Sequence, residues 1–157
     1  MDPSQWMAGF RVTHEKAKAK QLTEDEHTKY LLMREELARS LIQAQSLSVP
    51  EGQNSRKYFR VAQMYKIEIS KTWQTMTKQV SRSGFSASLS SQLKVGQEVD
   101  FELTLAREGE PVTGKAKVVS AVKQGGWNTS FSIEYMNEAN AERLESALFD
   151  AVLSRFK

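Results

Sequence analysis

The 157-residue chain has no cysteine, which excludes disulfides, thiolate catalysis and cysteine-ligated metal sites. Its two histidines, His14 and His27, are too few to build a common zinc site, and surface positions are expected for both. No apolar run approaches the roughly 20 residues of a membrane-spanning helix, so no membrane span is expected. The opening Met1-Asp2-Pro3-Ser4-Gln5-Trp6 lacks the basic stretch and long apolar stretch of a secretory signal, which points to a cytoplasmic protein. There is no grouping of nucleophile, base and orienting residue, no phosphate-cradling P-loop and no metal set, so the expectation is that the chain is not an enzyme.

What is present suits one ordinary globular core with an appendage: 39% of residues are hydrophobic and 26% charged. The net charge of +3 is unevenly placed. Between Asn54 and Arg82 stand Arg56, Lys57, Arg60, Lys66, Lys71, Lys78 and Arg82 against Glu68 alone, a net +6, leaving −3 for the rest. Such a cluster attracts phosphate-bearing partners, although taken by itself it is more often a solvated basic face.

Residues 1–21 combine Trp6, Met7 and Phe10 with alternating lysines and alanines and show no clean period, so a loosely ordered segment is expected there. Thr23 and Glu26 have capping-box spacing, and a helix should start at Thr23-Glu24-Asp25-Glu26. Tyr30, Met33, Leu37, Leu41 and Ala44 recur on one face of it, widened by Leu31, Ala38 and Ile42, while Glu35 and Arg39 can pair on the outside. An end near Ser46 is expected, with Pro50 and Gly52 in a linker, which divides the chain into residues 1–53 and 54–157. Alternation then replaces the helical period. Val61–Ser70 and Trp73–Val80 read as strands, and Gly84 as a break. Val99, Phe101, Leu103 and Leu105 alternate with polar residues, and Arg107-Glu108-Gly109-Glu110-Pro111 suits a hairpin loop. Thr113–Lys123 follows as a strand with Lys115 and Lys117 outside. After the turn Gln124-Gly125-Gly126, Phe131, Ile133 and Tyr135 alternate with Ser130, Ser132 and Glu134. Asn137 suits an N-cap for a last helix with Leu144, Leu148, Ala151, Val152 and Phe156 on one side. Antiparallel strands followed by an amphipathic helix imply a small barrel with helical cover.

Ser55-Arg56-Lys57-Tyr58-Phe59-Arg60-Val61 sets two arginines four apart where the linker enters the first strand. About twenty residues on comes Gln79-Val80-Ser81-Arg82-Ser83-Gly84. From Asn54 to Lys157 the chain resembles the PilZ family, whose signature is R-x-x-x-R followed by D/N-x-S-x-x-G. The resemblance implies a mainly β fold, a six-stranded antiparallel β-barrel with a C-terminal α-helix, here preceded by an N-terminal amphipathic helix. It implies cyclic di-GMP as ligand and no resident cofactor. Arg56 and Arg60 would clamp phosphates and guanines, since a guanidinium fork matches both a phosphate and the Hoogsteen edge of guanine. Ser81 and Gly84 would form the opposing wall, with Arg82 adding charge or stacking on a base. Gln79 departs from the family's Asp or Asn. It keeps the amide, but the extra methylene moves the head group and adds rotamer freedom, so weaker binding is expected. Each charge-assisted hydrogen bond contributes roughly 1.5–3 kcal/mol, so the arginines should dominate. Trp73 reads as packing more than as a ligand flank, and Trp127 as either a contact or a lid.

The leading expectation is a cyclic di-GMP receptor whose ligand fastens the linker to the barrel and changes how the N-terminal helix is presented to a protein partner or to a second copy through Tyr30, Leu37 and Leu41. The alternative is a degenerate PilZ-like domain that has lost nucleotide binding and acts as a protein-interaction module. Nonspecific nucleic-acid binding by the basic segment ranks lower, because Glu98, Asp100, Glu102, Glu108 and Glu110 oppose a long polyanion.

Overall fold

In the computed structural model, which describes residues 3–46, 58–105 and 110–155, two helices precede six strands and a final helix. The chain divides into two units, Met1–Phe59 and Arg60–Lys157.

In the first unit, helix α1 (Pro3–Lys18) lies against helix α2 (Glu24–Ser46). The α2 start follows the capping box: the Thr23 backbone N–H donates to Glu26 Oε1 at 3.1 Å, and the Glu26 N–H donates to the Thr23 hydroxyl at 3.2 Å. The Thr23 N–H first, and then a hydrogen bond from the Thr23 side chain to the same carboxyl, hold the exposed Glu26 carboxyl below its ordinary range. Glu35 and Arg39 pair at 3.3 Å as expected. The expectation of loose order over residues 1–21 is corrected, because most of that segment is α1. Its apolar face is aromatic: Trp6 stacks on Phe10 at 5.7 Å between centroids, and Phe10 stacks on Tyr30 of α2 at 5.9 Å. His14, expected at the surface, is fully buried and shares a 2.6 Å hydrogen bond with the Tyr30 hydroxyl, while the Arg34 guanidinium lies over the Tyr30 ring. His27 is exposed. Tyr30 is therefore core of this hairpin and not an open docking contact; Leu37 is also buried, Leu41 half-buried, and Leu31 and Ala44 exposed. The helix connection is closed by Lys20 in the left-handed region (φ 58°) and a bond from Gln21 N–H to the Lys16 carbonyl.

The second unit is a closed antiparallel barrel in the order β1-β2-β3-β6-β5-β4. Its strands are β1 (Lys66–Ile69), β2 (Trp73–Ser81), β3 (Gly84–Leu89), β4 (Glu98–Thr104), β5 (Val112–Lys123) and β6 (Trp127–Tyr135). Strand alternation puts Ile67, Ile69, Val99, Phe101, Leu103, Val112, Ala116 and Val118 inside, where Phe85 meets Phe101 edge-on at 5.2 Å and Phe131 face-on at 4.9 Å. Helix α3 (Glu138–Leu153) packs on β5 and β2 and buries Leu144, Leu148 and Phe149. Asn137 caps it, its side chain accepting from Asn140 N–H at 2.8 Å. At its other end Arg155 donates to the Ala151 and Ala62 carbonyls at 2.6 Å each.

Three strand expectations are corrected. Gly84 does not end the run but begins β3, whose Phe85, Ala87 and Leu89 are buried in alternation with serines. The expected strand Val61–Ser70 is regular only over Lys66–Ile69, because earlier the chain touches β2 through a single bridge, Val61 to Val80. Tyr135, expected inside, is 65% exposed at the end of β6, where the β5 register shifts between Lys115 and Ala116. Pro50, Gly52, Phe156 and Arg107-Glu108-Gly109 of the expected hairpin loop lie outside the described residues.

Tyr65 is buried, and its hydroxyl donates to the Ala147 carbonyl of α3 at 3.4 Å. Burial, then the Asp150 charge, raises its pKa above the ordinary 10.0, against a smaller lowering by Arg155. A phenol with a raised folded pKa contributes stability that is complete below its unfolded pKa and is lost as pH rises through the folded one. Urea midpoints measured at about pH 9 and about pH 11 should therefore fall less for Tyr65→Phe than for the unaltered chain. Equal falls would exclude Tyr65 as a source of alkaline instability.

Candidate functional site

The site begins with one extra residue in β2. The register with β3 runs Thr77 to Ala87 and then Gln79 to Ser86, so Lys78 is a bulge. Strict alternation would turn Gln79 inward after Thr77; the bulge leaves Lys78 and Gln79 exposed and returns Val80 to the interior. Thr77, only 1% exposed, supplies ladder bonds with its side chain. Its hydroxyl donates to the Gln63 carbonyl and accepts from the Tyr65 N–H, both at 2.8 Å, while its own N–H donates to the Tyr65 carbonyl. Val61 and Val80 exchange both backbone bonds at 2.8 and 2.9 Å. The chain entering the barrel is thus held on β2, with Val61 buried and Arg60, just before it, exposed.

The β2 to β3 turn is built around Ser81, which is nearly buried. Its hydroxyl accepts from the Ser83 N–H at 3.2 Å and lies 3.3 Å from both the Gly84 carbonyl and the Ser83 hydroxyl, so this side chain shapes the turn. Gly84 is dictated by the neighbouring strand, since a Cβ there would stand 2.4 Å from the Phe131 carbonyl oxygen.

Beside this turn lies a cleft of about 440 Å³ that brings together Arg60, Gln79, Ser81 and Gly84, four of the expected site residues. Arg82 is turned elsewhere: its Nε meets Glu145 Oε2 of α3 at 3.3 Å, and it does not line the cleft. Arg56 lies outside the described residues. Trp73 and Trp127 are half-buried and away from the cleft lining.

The sequence reading missed the floor of this cleft. On the outer face, Gly84 pairs with Ser132, Ser86 with Ser130 and Ser88 with Asn128 across β3 and β6, while Phe85, Ala87, Phe131 and Thr129 point inward. The available signal was the period-two serine pattern of two strands that turn out to be neighbours. Small hydroxyl side chains keep this face of the sheet low, and Val119 adds an exposed apolar edge. Arg60 and Lys78 are the two cationic residues among the described lining residues, with no carboxylate among them, so the cleft favours an anion.

The family model for the PilZ domain matches residues 54–150, well over half of the sequence, and the chain belongs to the PilZ domain family. Solved structures share the fold. The Bacillus subtilis inhibitor of motility, MotI/DgrA, superposes with a TM-score of 0.59 at 14% identity, covering 68% of this chain and 57% of that one. Escherichia coli YcgR, solved in complex with c-di-GMP, gives 0.51 at 18% identity over 64% of this chain and 46% of that one. K. pneumonia MrkH, solved in a c-di-GMP complex, gives 0.51 at 15% identity over 66% and 55%. The chain therefore spans about half the length of each of these proteins. No curated protein matches it.

Gly84→Ala should destabilise the barrel by about 1–3 kcal/mol through the clash with the β6 backbone. Gly9→Ala, in α1 with open space at the Cβ position, should be neutral or stabilising by up to about 1 kcal/mol. Chemical denaturation checks both, and a neutral Gly84→Ala would contradict the close approach of β3 to β6.

Proposed function

We propose that this chain is a cyclic di-GMP receptor whose ligand occupies the cleft beside the β2 to β3 turn. The observation that carries the reading is the convergence of Arg60, Gln79 and the Ser81 to Gly84 turn on one cleft on the outside of the barrel, with no carboxylate among its described lining residues. Arg60 offers a planar fork for a phosphate or the Hoogsteen edge of guanine, and Lys78 adds a second positive charge at the rim. Gln79 is turned outward by the bulge, where its amide can donate to and accept from a base edge. Arg56, four positions before Arg60, is the second fork in this reading. Arg82 joins only by leaving Glu145.

In this reading residues 54–157 form the sensor and residues 1–53 the output, presented to a protein partner when the ligand draws Arg56 and Arg60 together on phosphate. The protein is a cytoplasmic adaptor and not an enzyme. With Tyr30 committed to the α1 to α2 hairpin, the exposed Leu31 and Leu32 replace it as candidate partner contacts. The degenerate alternative rests on Gln79, whose longer side chain stands where the family has Asp or Asn.

Isothermal titration with cyclic di-GMP decides between the two. Binding is expected, with affinity reduced about tenfold or more in Arg60→Ala and in Arg56→Ala, in line with roughly 1.5–3 kcal/mol for each charge-assisted contact. Gln79→Asn should bind more tightly than the unaltered chain, because the shorter amide loses less rotamer freedom. No heat and no competition at high micromolar ligand would leave the interaction-module reading in its place.

A further inference from the structure

Asn128 belongs to none of the sequence motifs, yet it lines the cleft on β6, paired with Ser88 of β3 on one side and Val122 of β5 on the other. Its Oδ1 is buried and has no hydrogen-bond partner among the described residues. Buried acceptors are paired in the great majority of cases, and an exception at a cleft wall points to a group that arrives with a ligand. Val122 has no donor to offer it. We propose that Asn128 is a ligand-contacting residue whose amide oxygen accepts a hydrogen bond from the bound dinucleotide.

This inference rests on the cyclic di-GMP reading and narrows what the far end of the cleft recognises. Phosphate oxygens carry no proton at neutral pH, so they cannot satisfy Oδ1. Of the ligand's donors, guanine N1–H, the exocyclic 2-amino group of guanine and the ribose 2′-hydroxyl share this chemistry. The division of labour follows from the inventory of side-chain donors and acceptors: Arg60 and Lys78 donate only, so they serve phosphates and the acceptor edge of the base, and neither can read a donor. The position fits. Ser132, opposite Gly84 at the turn, and Asn128 are four residues apart on β6, roughly 13 Å along the strand, which is farther than one phosphate reaches. A ligand that meets Arg60 at the turn and Asn128 at the other end must extend from its phosphate through sugar and base.

The test is titration of the full chain and of Asn128→Ala with cyclic di-GMP, with cyclic di-IMP, which lacks the 2-amino group, and with the 2′-deoxy analogue of cyclic di-GMP. The expected result is about a tenfold loss of affinity for cyclic di-GMP in Asn128→Ala, with a thermal midpoint unchanged or raised, because the deleted oxygen has no partner in the empty protein. If the substitution becomes silent against one analogue, that analogue identifies the donor; equal losses for all three ligands with an unchanged midpoint assign it to N1–H, which all three carry. Asn128→Ala binding as tightly as the unaltered chain, while Arg60→Ala fails, would overturn the inference and leave the receptor reading intact. A lowered midpoint, whatever the losses, would make Asn128 structural and overturn it too. Absence of binding by the unaltered chain would remove both readings.

Discussion

The site depends on a single displaced residue in β2. With Lys78 bulged out, Val80 turns inward to bridge Val61, Thr77 is left inside with a hydroxyl free to clamp Gln63 and Tyr65, and Gln79 faces outward. These consequences are coupled, because the backbone bonds between Val61 and Val80 require the phase that the bulge sets, and Arg60 stands exposed next to the buried Val61. A bulge bends its strand and re-aims a side chain. Here it lets one sheet carry an apolar interior and a contiguous polar wall without a gap in the ladder.

The wall and the core are two sides of the same strands. Phe85 and Phe131 stack inside, and behind them Gly84, Ser86, Ser130 and Ser132 keep the outside low. Large aromatics fix the spacing of β3 and β6 from within, and the close approach of the two backbones at Gly84 leaves no room for a Cβ. The shape of the wall is thus tied to folding energy and not to the ligand alone. The same holds for Ser81, whose hydroxyl is spent on holding the backbone of its own turn.

Much of this was legible in the chain. Clean alternation in β4, the outward Lys115 and Lys117 of β5, the Thr23 capping box and the Asn137 N-cap were each correct because local chemistry and tertiary burial agree there. Arg60 and the Gln79 to Gly84 stretch were placed together because the two motifs resemble the PilZ signature, and Arg60, Gln79, Ser81 and Gly84 line one cleft. What escaped has physical causes. Strand β3 is short, starts with Gly and alternates with serine, so its β-propensity is weak and its strand character comes from pairing with β2 and β6. Helix α1 hides its stripe because one of its members is His14, which counts as polar until Tyr30 supplies its hydrogen bond. The segment before β1 looks like strand in composition, yet a threonine side chain takes the place of part of its ladder. Arg82 carries the right charge in the right motif, but Glu145, distant in sequence, holds it on α3.

The placement of the ligand on the β3 and β6 wall is tested most directly by following backbone amide resonances of the full chain as cyclic di-GMP is added. The largest shifts should fall at Arg60, from Lys78 to Gly84, and at Ser86, Asn128, Ser130 and Ser132, with β1 and β4 on the far side of the barrel nearly unmoved. Shifts centred on β1 and β4, or none at saturating ligand, would contradict it.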